Sequence, residues 1–278
     1  MNQTGNNIAQ AAEIIAKTHS LLVITGAGIS AESGLPTFRG PNGVLTKRPD
    51  LERVISARGL AENPNAVWAF IDELRVHTAA AKPNAAHQIL AQWEQEGRFD
   101  RFMIATQNID GLHQKAGSQR VSELHGSIWQ FAEPRSSDYA EDEGFSDDMQ
   151  DFLSGDNREA LLRKWSVENQ CEVWTNLDVP FKQIPPHADT NIRPNVVLYD
   201  ESYGNRLLWV ESFIAGKPDT VLVIGCSGGV MILHTLLDAC RRANPGCQII
   251  NINKAESCIT IDHVDVRMSA VEAMTMLR

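Results

Sequence analysis

The chain has no pair of cysteines spaced for a metal knuckle or a dithiol redox motif. Its five cysteines, Cys171, Cys226, Cys240, Cys247 and Cys258, form no C-x-x-C. Their odd number, in a chain whose first residues lack the basic and apolar regions of a secretory leader, argues for reduced, mostly buried thiols and a cytoplasmic location. Glycine (19) and proline (12) are too few for a collagen-like or low-complexity chain. No apolar run reaches the roughly 18 residues of a membrane-spanning helix. Bases are outnumbered, with 25 Lys+Arg against 35 Asp+Glu and a net charge of −10. That balance disfavours a nucleic-acid backbone or an anionic membrane as partner, since both need clustered Lys and Arg. What is present is ample apolar material, 43% of 278 residues. It excludes disorder of the whole chain and suffices for one large domain or two modest ones.

The acidic excess is concentrated. Residues 128–193 hold 14 acids and 6 bases, a net of −8, while the rest of the chain holds 21 acids and 19 bases, a net of −2. Within that segment, Glu133 to Glu159 contains ten acids and only Arg135 and Arg158 as bases. Such a run is either a solvated surface or a face that selects basic partners.

Apolar periodicity lays out an α/β chain. Asn7–Lys17, Asn65–Thr78 and Pro83–Glu96 carry apolar residues at helical spacing, and Met231–Ala243 reads as a further helix. Short apolar runs at Leu21–Ile24, Arg101–Thr106, Val196–Tyr199, Val221–Ile224 and Gln248–Ile252 read as strands. Most of them hand over to Gly, Asn, Gln or Ser at the carboxyl end, the edge at which open parallel sheets bind ligands. The predicted fold is a Rossmann-like parallel sheet with helices on both faces, interrupted by a smaller inserted domain.

Three motifs stand at strand ends. The first is Gly26-Ala27-Gly28-Ile29-Ser30-Ala31-Glu32-Ser33-Gly34-Leu35-Pro36-Thr37-Phe38-Arg39-Gly40. Its glycines permit close backbone approach to a pyrophosphate, with Arg39 as a bidentate partner, or they simply make a tight strand–helix turn. The second is Thr106-Gln107-Asn108-Ile109-Asp110-Gly111-Leu112-His113. Its polar side chains suit ribose hydroxyls and a carboxamide, or a helix cap. The third is Glu123-Leu124-His125-Gly126-Ser127, whose histidine is a general base or a structural residue.

Taken together, in this order and spacing, the three blocks resemble the sirtuin family of NAD-dependent protein lysine deacylases. Arg193–Glu201 resembles that family's substrate strand, Gly225-Cys226-Ser227 its Gly-Thr-Ser, and Asn251-Ile252-Asn253 its adenosine-contacting strand end. The resemblance implies NAD as co-substrate and an acylated lysine peptide bound as an added strand. It implies that the acyl oxygen attacks C1′ of the nicotinamide ribose, that nicotinamide leaves, and that His125 then acts as general base on a ribose hydroxyl. Asn108 would position the ribose and a water, Asp110 would hold the carboxamide, and Phe38 would exclude water. Gly26, Ala27, Gly28, Ser30, Glu32, Thr37, Arg39, Gln107, Gly225, Cys226, Ser227 and Asn253 would complete the NAD site. Val197 and Tyr199, with His125, would meet the substrate. Residues 1–45, 80–127 and 194–278 would form the NAD-binding domain, and 46–79 with 128–193 the helical, acidic insertion. NAD hydrolysis or ADP-ribosyl transfer is a second reading, and a non-catalytic NAD or ADP-ribose sensor a third, which an intact base argues against.

Three departures qualify the resemblance. Most sirtuins carry two C-x-x-C pairs in the insertion, whereas here it holds only Cys171 and His187, so no four-ligand zinc site is expected. Trp129, Phe131, Phe145, Phe152, Trp165, Trp174 and Phe181 are available to pack it instead. The Thr37 form of the first motif resembles the subfamily that removes acidic acyl groups. The Tyr and Arg used there align with Ile71 and Leu74, so acetyl or a longer apolar acyl is expected over succinyl. Asp200 replaces the usual glycine of the substrate strand, where a side chain would crowd the peptide or alter its register.

Overall fold

A computed structural model describes residues 3–40, 43–132, 171–173, 193–256 and 258–278. Strand β1 (Ser20–Thr25) is buried along its whole length. It pairs in parallel with β2 (Arg101–Thr106) on one side and with β7 (Thr220–Ile224) on the other. The sheet runs β3-β2-β1-β7-β8-β9, with β3 at Val121–Glu123, β8 at Gln248–Ile252 and β9 at Val264–Val266. Strand order reverses between β1 and β7, and in such sheets the crevice at that point, beyond the carboxyl ends, is where ligands bind.

Each central strand is a continuous apolar run because both faces are covered. Leu21, Val23, Phe102, Ile104, Leu222 and Ile250 meet helices α1 (Gln3–Ala16), α6 (Ala85–Gln95) and the C-terminal α10 (Ala270–Leu277). Leu22, Ile24, Met103, Val221, Val223 and Ile249 meet α8 (Leu208–Ala215) and α9 (Met231–Ala243) on the other face. No helix among the described residues is long and apolar enough to cross a membrane.

The second unit combines short helices with an antiparallel sheet. Helices α2 (Val44–Lys47), α3 (Leu51–Val54), α4 (Ala57–Glu62) and α5 (Pro64–Ala79) supply an apolar cluster around Trp68, Phe70 and Ile71. Asn63 caps α5 by accepting from the Ala66 amide, with Pro64 at the first helical position, where its missing N–H costs nothing. The sheet order is β5-β4-β6, with β4 at Gly126–Ala132, β5 at Cys171–Val173 and β6 at Arg193–Val196. Arg75, only 1% exposed, joins the two parts. Its Nε donates to the Ile128 carbonyl, Nη1 reaches Asp72 at 3.1 Å, and the guanidinium lies 5.4 Å over the Trp68 ring.

One expectation is corrected by the structure. A strand is expected at Val196–Tyr199, within the Arg193–Glu201 segment that resembles the substrate strand, but the observed strand is Arg193–Val196, and it belongs to the antiparallel sheet rather than to the parallel sheet of the large domain. Tyr199 instead bridges to Ser56, with its amide on the Ile55 carbonyl at 2.9 Å and its carbonyl taking the Ala57 amide at 2.9 Å. Asp200 follows Tyr199. It is exposed and holds φ 72°, the left-handed conformation that glycine adopts freely and aspartate tolerates among the side-chain residues. The acidic run 133–159, His187 and the apolar residues 145–165, 174 and 181 expected to pack the insertion lie outside the described residues.

Candidate active site

The turns after β1 and β7 are built against each other. Gly26 N donates to the Ile224 carbonyl and Gly28 N to the Gly225 carbonyl, both at 3.0 Å, and Gly225 N donates to the Ile252 carbonyl at 2.9 Å. A Cβ on Gly28 would lie 2.6 Å from Gly225 Cα, and one on Gly26 2.9 Å from Gly225 O. Glycine is thus required here by turn-on-turn packing. A 3-10 helix, Ala27–Ser33, follows and ends on Gly34 at φ 86°.

A buried polar network lies behind these turns. Ser30 Oγ donates to Asp110 Oδ2 at 2.7 Å and accepts from Asn108 Nδ2 at 3.2 Å. Asn108 Nδ2 also reaches the Gly26 carbonyl at 3.2 Å. Asp110 Oδ1 accepts from the Leu112 amide at 2.9 Å, at the start of α7 (Leu112–Ala116). Burial raises the Asp110 carboxyl above its ordinary value, against the hydrogen bonds from Leu112 and Ser30. His87 Nε2 stands 3.5 Å from Ser30 Oγ, and burial pulls its imidazole down to about 4. His113, its ring centroid 5.0 Å from that of His87, meets Thr25 Oγ1 at 2.9 Å and is held neutral by burial. Asn84 pins the 3-10 helix by donating to the Ile29 carbonyl at 2.7 Å and to Ser33 Oγ at 3.1 Å.

His125 lies partly buried between β3 and β4. The Gln107 carbonyl can only accept, so Nδ1 of His125 donates to it at 2.7 Å. Nε2 then carries the lone pair, and it meets Tyr203 Oη at 3.1 Å. Burial lowers the imidazole below its ordinary value, which favours the neutral base. The His125 carbonyl accepts from the Val197 amide at 2.9 Å, linking His125 to the residue that follows β6.

The other expected residues fall as follows. Gln107 turns its amide to Cys226 Sγ at 3.7 Å, and Asn253 Nδ2 donates to the Cys226 carbonyl at 3.0 Å. Cys226 is a packed thiol, pushed by burial to about 12. Ser227 is exposed in the turn after β7. Thr37 Oγ1 donates to the Arg39 carbonyl at 3.0 Å and so shapes its own loop. Arg39 Nη2 reaches Tyr199 Oη at 3.3 Å, and its Cδ would lie 3.3 Å from a Cβ on Gly229, so its side chain extends from the first loop to the turn after β7. Phe38 lies partly buried with Ile109 and Tyr199 against the apolar cluster.

Two residues are placed differently from expectation. Ser30 is 2% exposed, and its hydroxyl serves Asp110 and Asn108 rather than the open cleft. Glu32 faces away, its carboxylate accepting from Val271 N at 3.0 Å at the start of α10, where a negative charge suits the helix dipole. Sequence reasoning missed His87, His113, Asn84 and Tyr203. The only sign was that α6 opens with Asn84 three residues ahead of a histidine, which together form a capping box.

Comparison with known proteins agrees with this geometry. Residues 26–232 match the Sir2 family. An NAD-dependent protein deacylase of Aquifex aeolicus is 34% identical over 245 residues, 87% of this chain and 86% of that protein. One from Thermococcus sibiricus is 34% identical over 275 residues, 97% and 94% of the two chains. Among solved structures, a Sir2 homologue–NAD complex superposes with a TM-score of 0.72 at 28% identity, covering 97% of this chain and 91% of the other. A Sir2 protein with a deacetylated p53 peptide and 3′-O-acetyl ADP-ribose superposes at 0.70 with 26% identity, covering 97% and 96%. With a neutral base, a buried acid and an asparagine assembled at the switch point of its parallel sheet, the chain belongs to the Sir2 family, the sirtuins.

Proposed function

We propose that the chain removes acyl groups from protein lysines in an NAD-dependent reaction. The observation that carries this reading is the state of His125. Its Nδ1 is tied to Gln107 O, which leaves the lone pair on Nε2, where Tyr203 Oη stands at 3.1 Å. NAD would supply a glycosidic carbon whose nicotinamide departs.

The residues present fit such a co-substrate. Asn108 is fixed through Nδ2 by Gly26 and Ser30, and its Oδ1 has no protein partner among the described residues, which leaves it to orient a ribose hydroxyl or a water. Asp110, locked by Ser30 and Leu112, would hold the carboxamide. Arg39, Ser227 and Asn253 would take the phosphates and adenosine, and Phe38 would exclude water. His125 Nε2 would accept the ribose proton, and burial keeps it unprotonated near neutral pH.

Two finer points belong to the same reading. Ile71 is buried and Leu74 partly buried in the apolar cluster that also packs Phe38 and Ile109, so an anionic acyl group finds no cation from these two positions, and acetyl or longer apolar groups are preferred. The charge of residues 133–159 favours basic peptides or a basic partner.

The test is nicotinamide release from NAD with and without acetyl-lysine peptide, for the wild type and His125→Ala. Peptide-dependent release, with formation of deacylated peptide abolished in the variant, supports the proposal. Release that ignores the peptide identifies a glycohydrolase, and absence of release leaves only binding.

A further inference from the structure

Tyr203 follows the substrate strand and begins the 3-10 helix Gly204–Leu207. Its flanks are anchored. Upstream, the Glu201 carboxylate is gripped by the Arg193 guanidinium and accepts from the Leu198 amide at 2.8 Å. Downstream, Arg206 donates to Asn195 Oδ1, and Asn195 Nδ2 reaches Gln130 Oε1 at 2.6 Å. Between these anchors the half-buried Tyr203 ring stacks on His125, with centroids 5.6 Å apart and planes at 29°.

The hydrogen bond between them has one direction. Gln107 O forces the Nδ1–H tautomer, so Nε2 is an acceptor and the phenol is the donor. Nε2 has a single lone pair. A substrate hydroxyl that is to lose its proton to this nitrogen must therefore occupy the place of Tyr203 Oη. We propose that Tyr203 is a positioning residue that caps the base. Its ring holds the imidazole plane, and its hydroxyl guards Nε2 until the ribose hydroxyl of NAD displaces it. This rests on the deacylase reading above.

The test uses Tyr203→Phe and Tyr203→Leu in the full chain. Tyr203→Phe keeps the stacked ring and removes the competing donor. Its kcat/KM for NAD, at saturating acetyl-lysine peptide, rises about fivefold, the equivalent of one net hydrogen bond, and the gain appears as a lower KM. Tyr203→Leu also removes the ring that holds the imidazole, so its kcat falls. The 15N resonance of His125 Nε2 in the ligand-free protein gives a second readout. It moves in Tyr203→Phe, whereas Nδ1 does not. An unmoved resonance overturns the cap. So does a Phe variant whose kcat falls while its KM stays, because the hydroxyl would then be a relay in proton transfer. The resonance reports on the cap even if no peptide is turned over, so the failure of this proposal and the failure of the deacylase reading are distinguishable.

Discussion

Three glycines, Gly28 and Gly34 after β1 and Gly225 after β7, separate steric need from backbone need, and alanine at each tests the packing described above. At Gly28 the φ angle is ordinary, but a Cβ would lie 2.6 Å from Gly225 Cα and 2.8 Å from Gly225 O. Carbon contacts need about 3.5–4.0 Å, so the two turns must part by roughly 1 Å. That movement also stretches the 3.0 Å bond from Gly28 N to Gly225 O. Overpacking costs about 1–3 kcal/mol and the weakened bond about 1 more. At Gly34 nothing lies within 4 Å, but φ is +86°. Alanine there costs about 1–2 kcal/mol of backbone strain alone. Gly225 combines both, with φ +67° and a Cβ 2.3 Å from Ile29 N, and is the most costly of the three. Urea unfolding of the full chain should rank destabilisation as Gly225→Ala, then Gly28→Ala, then Gly34→Ala. Calorimetric NAD binding should weaken about 10- to 100-fold for Gly28→Ala, because turns displaced by an ångström no longer present the site as built. Gly34→Ala should bind as the wild type does. A Gly28→Ala protein as stable as Gly34→Ala, with wild-type NAD affinity, would refute the turn-on-turn account.

Ser30→Ala removes the donor to Asp110 Oδ2 and an acceptor for Asn108 while the chain remains folded by circular dichroism. Loss of a bond to a buried acid costs about 1–3 kcal/mol, so kcat should fall roughly 10- to 100-fold, and an unchanged kcat would show that the network does not serve the reaction. The wild type should lose stability as pH falls from 6.5 to about 4. The buried His87 stays neutral there while the unfolded chain takes up its proton, a difference of up to about 3 kcal/mol. His87→Gln should flatten that slope in urea titrations but not abolish it, since His113 is depressed in the same sense; equal slopes would count against the assignment. Iodoacetamide on the native protein should label the exposed Cys258 and spare the buried Cys226, Cys240 and Cys247, whose thiols burial raises to about 12, 12 and 11. Mass spectrometry that found Cys226 labelled first would contradict its packed position.

Much of the fold was legible because its signal is local. Arg101–Thr106, Gln248–Ile252 and Met231–Ala243 were read with their observed bounds, each being an uninterrupted apolar or 3.6-period segment. The edge strands Val121–Glu123 and Val264–Val266 were missed, since three residues carry no period. Val196–Tyr199 was misplaced because an apolar run states that a segment is buried and not what it pairs with. Here Tyr199 pairs with residues 55–57, about 140 positions earlier in the chain.

The site divides in the same way. Gln107, Asn108, Asp110 and His125 stand out in the sequence because each sits in a compact motif at a strand end. What governs them was not visible. Ser30 meets Asp110 across 80 positions, Gln107 O fixes the His125 tautomer across 18, and Tyr203 meets Nε2 across 78. A sequence motif therefore names the groups that face the cleft, while their protonation and orientation are set by partners that only the fold brings near. The glycines make the same point. Gly26 and Gly28 read equally well as a phosphate cradle or a tight turn, and the discriminating atom belongs to Gly225, which the fold places beneath them. The Gly28→Ala and Ser30→Ala measurements thus probe long-range assembly, and their outcome decides whether the first motif binds NAD through its own backbone alone or through a turn held in place by β7.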